Sequence, residues 1–119
     1  MEKLNTIQTR ENLNEVYRIG EKGPGGAYHE YMVAAAEGQH ILEHIQFQKG
    51  PRKADGSTPG VLDCDLLEIV RDRLTAFCAG SMPCKETKNA LVHVEIALLH
   101  LNQRVEDRIE RGVLGTMEK

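Results

Sequence analysis

Residues 61–111 are dominated by two amphipathic stretches joined only by Gly80-Ser81-Met82-Pro83. So short a joint can do little but reverse the chain, so two helices here must lie side by side and antiparallel. In the first stretch, Leu66, Leu67, Val70, Leu74 and Phe77 recur at steps of three and four, the spacing of one helix face. This predicts a helix over 63–79, with Asp63 as its N-cap and Gly80 as a left-handed C-cap. In the second stretch, Leu91, Val94, Leu98, Leu101 and Val105 keep near-heptad spacing beside Ala90 and Ala97, whose small side chains admit a close neighbour. The second helix is expected over 85–111 and is stopped by Gly112. Val92, Ile96 and Leu99 form a further apolar stripe on another side of it. One partner helix cannot bury both stripes, so the surplus must face the N-terminal half, another copy of the chain, or both.

The first half reads differently. Residues 1–15 are polar and are expected to form a weakly ordered start or an arm. Strands are expected over 16–19, 27–35 and 41–48, the last the strongest, with Ile41, Glu43, Ile45 and Phe47 on one face and Leu42, His44, Gln46 and Gln48 on the other. Glu37-Gly38-Gln39 reads as a hairpin turn, and residues 49–60 as a loop with a tight turn at Asp55-Gly56. Strands first and helices second is the α+β order. The expected fold is a small N-terminal antiparallel sheet of two to three strands packed on a C-terminal antiparallel helical hairpin. It is read as a single domain over 1–119: a β-rich part with its loop (1–60), the hairpin (61–111) and a C-terminal tail (112–119).

Composition narrows the function classes. A net charge of −3 leaves no positive excess for wrapping a nucleic-acid polymer, though a few placed arginines can still hold a small anion. No apolar run approaches the roughly 18 residues that span a membrane, and no signal-peptide core precedes the polar start. Cys64, Cys78 and Cys84, an odd and unpaired set, fit a reduced cytoplasmic chain and use as small core residues.

Catalytic patterns are missing from the sequence. His29, His40, His44, His93 and His100 form no zinc-spaced cluster with the cysteines, and no residue pair stands out as acid and base, so no catalytic residue, metal or cofactor is expected. Gly23, Gly25 and Gly26 are a plain loop by composition, with a weaker phosphate-cradle alternative. Arg104, Arg108 and Arg111 step by four and three along one stripe. They are either a solvated face relieved by Glu106, Asp107 and Glu110, or forks for phosphate oxygens. The segment after them, with Gly112, Gly115 and Thr116, is either a frayed end or a pliable strap around a ligand.

Several stretches together carry a resemblance: FQKGP (47–51), GSTPGVLDCDLLEIVRDRL (56–74), Phe77, EIALLHLNQR (95–104), Asp107-Arg108 and RGVLGT (111–116). Over roughly residues 16–116 the chain resembles the phage Thoeris anti-defence sponge proteins of the first type, which share a helical hairpin with anti-CBASS sponges. The resemblance implies a non-enzyme. It implies sequestration of cyclic ADP-ribose-type signals made by TIR-domain defence proteins and, in some members, of cyclic di- or trinucleotides at separate pockets. It also implies a homo-oligomer, dimers assembling into hexamers with pockets between subunits, in the cytoplasm of the infected bacterial host. By motif match Phe77 takes the place of an adenine-stacking aromatic and Arg104 that of a phosphate-contacting arginine. Lys85 and Thr87 fall where the family has Arg and Asn, with Asn89 the nearest amide. Arg108, Arg111, Gly112 and Thr116 complete the expected ligand contacts. The alternative is an oligomeric structural or protein-interaction adaptor with no small-molecule ligand.

Overall fold

The computed structural model describes residues 1–116 and divides the chain into two compact units, residues 1–61 and the helical part from residue 62 on. The architecture is α+β: an N-terminal antiparallel sheet followed by two helices. Residues 117–119 of the expected tail lie outside the described residues.

The sheet has four strands in the order of the chain: β1 (Glu2–Lys3), β2 (Asn14–Ile19), β3 (Glu30–Ala35) and β4 (Ile41–Gln46). The fourth strand is β1, at the polar start where an arm was expected. Two residues are too short to show a period, but Lys3 pairs with Glu15 and Arg18 with Glu2 across the β1–β2 ladder. The following loop is held by side chains bonding to backbone, a habit of Thr, Asn and Gln. Thr6 Oγ1 donates to Gln8 O (2.8 Å), and Asn12 Nδ2 to Gln8 O (2.9 Å). β2 begins two residues earlier than expected, and β3 starts at Glu30, three residues later than expected, after a single 3-10 turn at Pro24–Gly26. The hairpin turn forms where expected, with Gly38 and Gln39 both at positive φ. Just beyond it the register shifts between Val33 and Ala34, so Leu42 has no opposite number and strict alternation along β4 ends there. Met32 (7% exposed) and Ala34 (1%) are the only buried residues among those described.

Past β4 the chain doubles on itself. Phe47 bridges Val61, and Lys49 bridges Thr58 around the Gly56 turn. Gly60 makes this possible: a Cβ there would lie 2.4 Å from Gln46 O and 2.5 Å from Phe47 C.

The helical unit forms a hairpin of α1 (Asp63–Ala79) and α2 (Lys85–Glu110). Both caps of α1 differ from expectation. The N-cap is Leu62, whose N–H is accepted by Asp65 Oδ2 at 2.8 Å; Asp63 and Asp65 instead occupy the first turn, where the helix end favours negative charge. Gly80 closes the helix at φ −84°, in the ordinary region and not the left-handed one. Gly112 does adopt the left-handed form, at φ +71°. There Gly112 N–H donates to Ile109 O (3.0 Å) and Val113 N–H to Arg108 O (2.9 Å), the two bonds of a Schellman motif. No described helix is long and apolar enough to cross a membrane.

Two predictions follow from these contacts. Gly60→Ala must push two backbone segments apart and is expected to destabilise the first unit by about 1–3 kcal/mol, as overpacking does, measured by urea titration. The second concerns acid. Hydrogen bonding from Lys3, then from Gln39, holds the Glu15 carboxyl below its ordinary value of 4.5. A carboxyl depressed in the folded state stabilises above its unfolded pKa, and that contribution fades as pH falls through the folded value. Thermal stability should therefore decline below about pH 4.5, and Glu15→Gln should flatten that acid limb.

Candidate functional site

A single expected stripe on α1 resolves into two. Leu67 and Leu74, with Cys78, are half-buried and share the side of the wheel that meets half-buried Leu91, Val94, Leu98, Leu101 and Val105 on α2. Val70 is 41% exposed and Phe77 52%, about a quarter-turn away from the seam. Phe77 is therefore not a seam residue, and the spacing that grouped it with Leu74 covered too wide an arc. Arg73, one turn before it, lays its guanidinium 5.4 Å from the Phe77 ring centroid.

The hairpin register fixes which candidates are neighbours. Arg71 Nε donates to Glu95 Oε2 at 2.9 Å across the seam, and Arg71 Nη1 to Glu68 at 3.3 Å. With Arg71 facing Glu95, Phe77 lies level with the stretch of α2 near Asn89. Lys85, Thr87 and Asn89 thus share the turn end of the hairpin with Phe77. They do not share its side. Thr87 is half-buried in the seam, its hydroxyl 3.0 Å from Cys84 Sγ, and Asn89 is about 200° further round an unbroken helix. Asn89 therefore does not replace Thr87 within one copy. The Thr87 hydroxyl, then its backbone, lowers the pKa of the exposed Cys84 thiol at the helix start.

Arg104, Arg108, Arg111, Gly112 and Thr116 gather at the other end, about 22 Å along α2 from the level of Phe77 at 1.5 Å per residue. Three of these are already engaged. Arg108 Nη2 donates to Val113 O (3.0 Å) and Thr116 O (3.2 Å), and Thr116 Oγ1 donates to Val113 O (2.6 Å), so the segment is strapped down and not frayed. Arg111 Nε donates to Asp107 Oδ2 at 3.1 Å. Arg104 is exposed, and its side chain makes no hydrogen bond or ion pair among the described residues. The stripe of three is thus one outward guanidinium and two that serve the helix end.

One copy therefore does not bring Phe77 and Arg104 to a common point. A cleft of about 630 Å³ beside the seam is wide enough for a nucleotide. Its polar rim carries Asp65, Glu68 and Glu95 against Arg71, the wrong sign for a phosphate, and it lies on the flank away from Phe77. Val92 (52% exposed), Ile96 (43%) and Leu99 (69%) remain open along α2. No group of metal-binding side chains occurs among the described residues.

No family model matches the chain. Among curated proteins, it is similar to Thoeris anti-defense 1 of Bacillus phage SBSphiJ7, with 40% identity over 78 residues, 66% of this chain and 54% of that protein. The chain thus spans about half the length of the curated relative it matches.

The Arg108 strap can be tested directly. Arg108→Ala leaves the Val113 and Thr116 carbonyls without their charged donor, and each such bond is worth about 1.5–3 kcal/mol when desolvated, less in a half-open site. Residues 112–116 should then become a trypsin- and exchange-sensitive end while the α1–α2 seam keeps its protection, as read by hydrogen exchange.

Proposed function

The chain is a relative of the Thoeris anti-defence family, and from that kinship we propose that it binds and sequesters cyclic nucleotide immune signals without hydrolysing them. The signals are cyclic ADP-ribose isomers, cyclic di- or trinucleotides, or both. In this proposal the protein is a phage anti-defence factor, acts in the cytoplasm of the infected host cell, and has no catalytic turnover.

The observation that carries the proposal is the placement of Phe77. A large aromatic side chain that is half exposed outside the seam presents a ring on which a planar base can stack, a contact of about 1–3 kcal/mol. Arg104 adds an outward guanidinium with no carboxylate partner among the described residues. The two stand too far apart to grip one ligand from one copy, which supports a site completed by a second subunit. The open stripe of Val92, Ile96 and Leu99 supports the same assembly, because exposed apolar rows on a helix suit burial against another copy. A homo-oligomer, a dimer or an assembly of dimers, is part of the proposal.

The test is native mass spectrometry after incubation with cyclic ADP-ribose isomers and with cyclic di- and trinucleotides. Bound nucleotide of unchanged mass, recovered after heat denaturation, is the expected result. A ligand at 100 times its dissociation constant should also stabilise the fold by about 2.7 kcal/mol, and Phe77→Ala should reduce affinity by the stacking increment of about 1–3 kcal/mol. Oligomers that bind no nucleotide would favour a structural adaptor, and a recovered hydrolysis product would reject sequestration.

A further inference from the structure

The chain has two phenylalanines. Phe47 meets Tyr31 edge to face at 5.6 Å, inside the sheet unit. Phe77 meets only the guanidinium of Arg73 among the ring contacts of the described residues, at 5.4 Å from its centroid. Arg73 itself is exposed and has no carboxylate partner among the described residues, in contrast to Arg71, Arg108 and Arg111, each of which is bonded to an acid or to backbone oxygens. An exposed cation resting on an exposed ring, four residues apart on one helix flank, is an arrangement with unused capacity on both members.

We propose that Arg73 is a ligand-contacting residue of the Phe77 site, donating to the phosphate of a nucleotide whose base stacks on the Phe77 ring. The inference rests on the nucleotide binding proposed above and adds to it a residue and a ligand geometry. A cation–π contact at an open site is weaker than base stacking, so an arriving base displaces the guanidinium from the ring face. The displaced fork keeps its tether on α1 and stays within a side-chain length of the ring. It therefore reaches a phosphate that lies close to its own base. A planar fork grips phosphate oxygens in pairs, which a point charge does not. The ligand class this selects is a compact nucleotide with base and phosphate held near each other, as cyclic nucleotides are. A neutral nucleoside gains the stacking and nothing from Arg73.

Isothermal titration of the full chain tests this, with cyclic ADP-ribose, cyclic di-adenylate and adenosine as probes, for wild type, Arg73→Gln and Arg73→Lys at two salt concentrations. Arg73→Gln should weaken the best-bound cyclic nucleotide about tenfold or more, the scale of one charged hydrogen bond. It should also reduce the salt dependence and leave adenosine unchanged. Arg73→Lys should restore the salt dependence and only part of the affinity. If wild type binds a cyclic nucleotide and Arg73→Gln binds it equally well with the same salt dependence, the inference falls while nucleotide binding stands. An equal loss for adenosine and the cyclic probes also overturns it, because Arg73 would then act only by positioning the ring. If wild type binds none of the probes, both proposals fall together.

Discussion

Contact between Leu67 and Leu74 on one helix and the Leu91–Val105 row on the other sets the geometry of everything in the second unit. Two helices of 17 and 26 residues, joined by a short reversal, have only one way to bury such rows. Once they meet, the register is pinned by Arg71 reaching Glu95. Each remaining residue is then assigned to a flank. Phe77 and Arg73 fall on one, the acid-rimmed cleft with Leu99 in its lining on the other, and Val92 and Ile96 on the back of the longer helix. The candidate site is a consequence of what the seam leaves over.

Much of this was legible in the residues. The bounds of α1 follow from period and punctuation alone, because the apolar steps begin at Leu66, just after the acidic Asp63, and the break at Gly80 is abrupt. The caps were not legible. Leu62 carries no side-chain acceptor, and Asp65 reaches back to accept from the Leu62 N–H, a contact that depends on the helix already existing. β1 was invisible for the opposite reason: two residues have no period, and its support comes from charges twelve and sixteen residues away. Phe77 was misassigned to the core row because three- and four-residue steps allow a drift of about 100° around the helix. Only the partner's position shows where the row ends.

The arginines show how charge patterning alone leaves roles undecided. Five of them in the helical unit look alike in sequence. Arg71 serves the seam, Arg108 the helix end, and Arg111 its own i−4 aspartate. Arg104 and Arg73 are left for solvent or ligand. A run of basic residues was thus partly the solvated face that spacing suggested and partly something else. The difference lies in which carbonyls and carboxylates the fold brings within 3 Å or so of each fork.

The scarcity of interior has a thermodynamic corollary. Met32 and Ala34 alone are fully shielded among the described residues, and Val92, Ile96 and Leu99 keep 43–69% of their surface open to water. Any mate that covers those flanks contributes its association energy to the folded state, so conformational stability becomes coupled to copy number by mass action. Under the proposed self-association, such a polypeptide would grow sturdier as it accumulates.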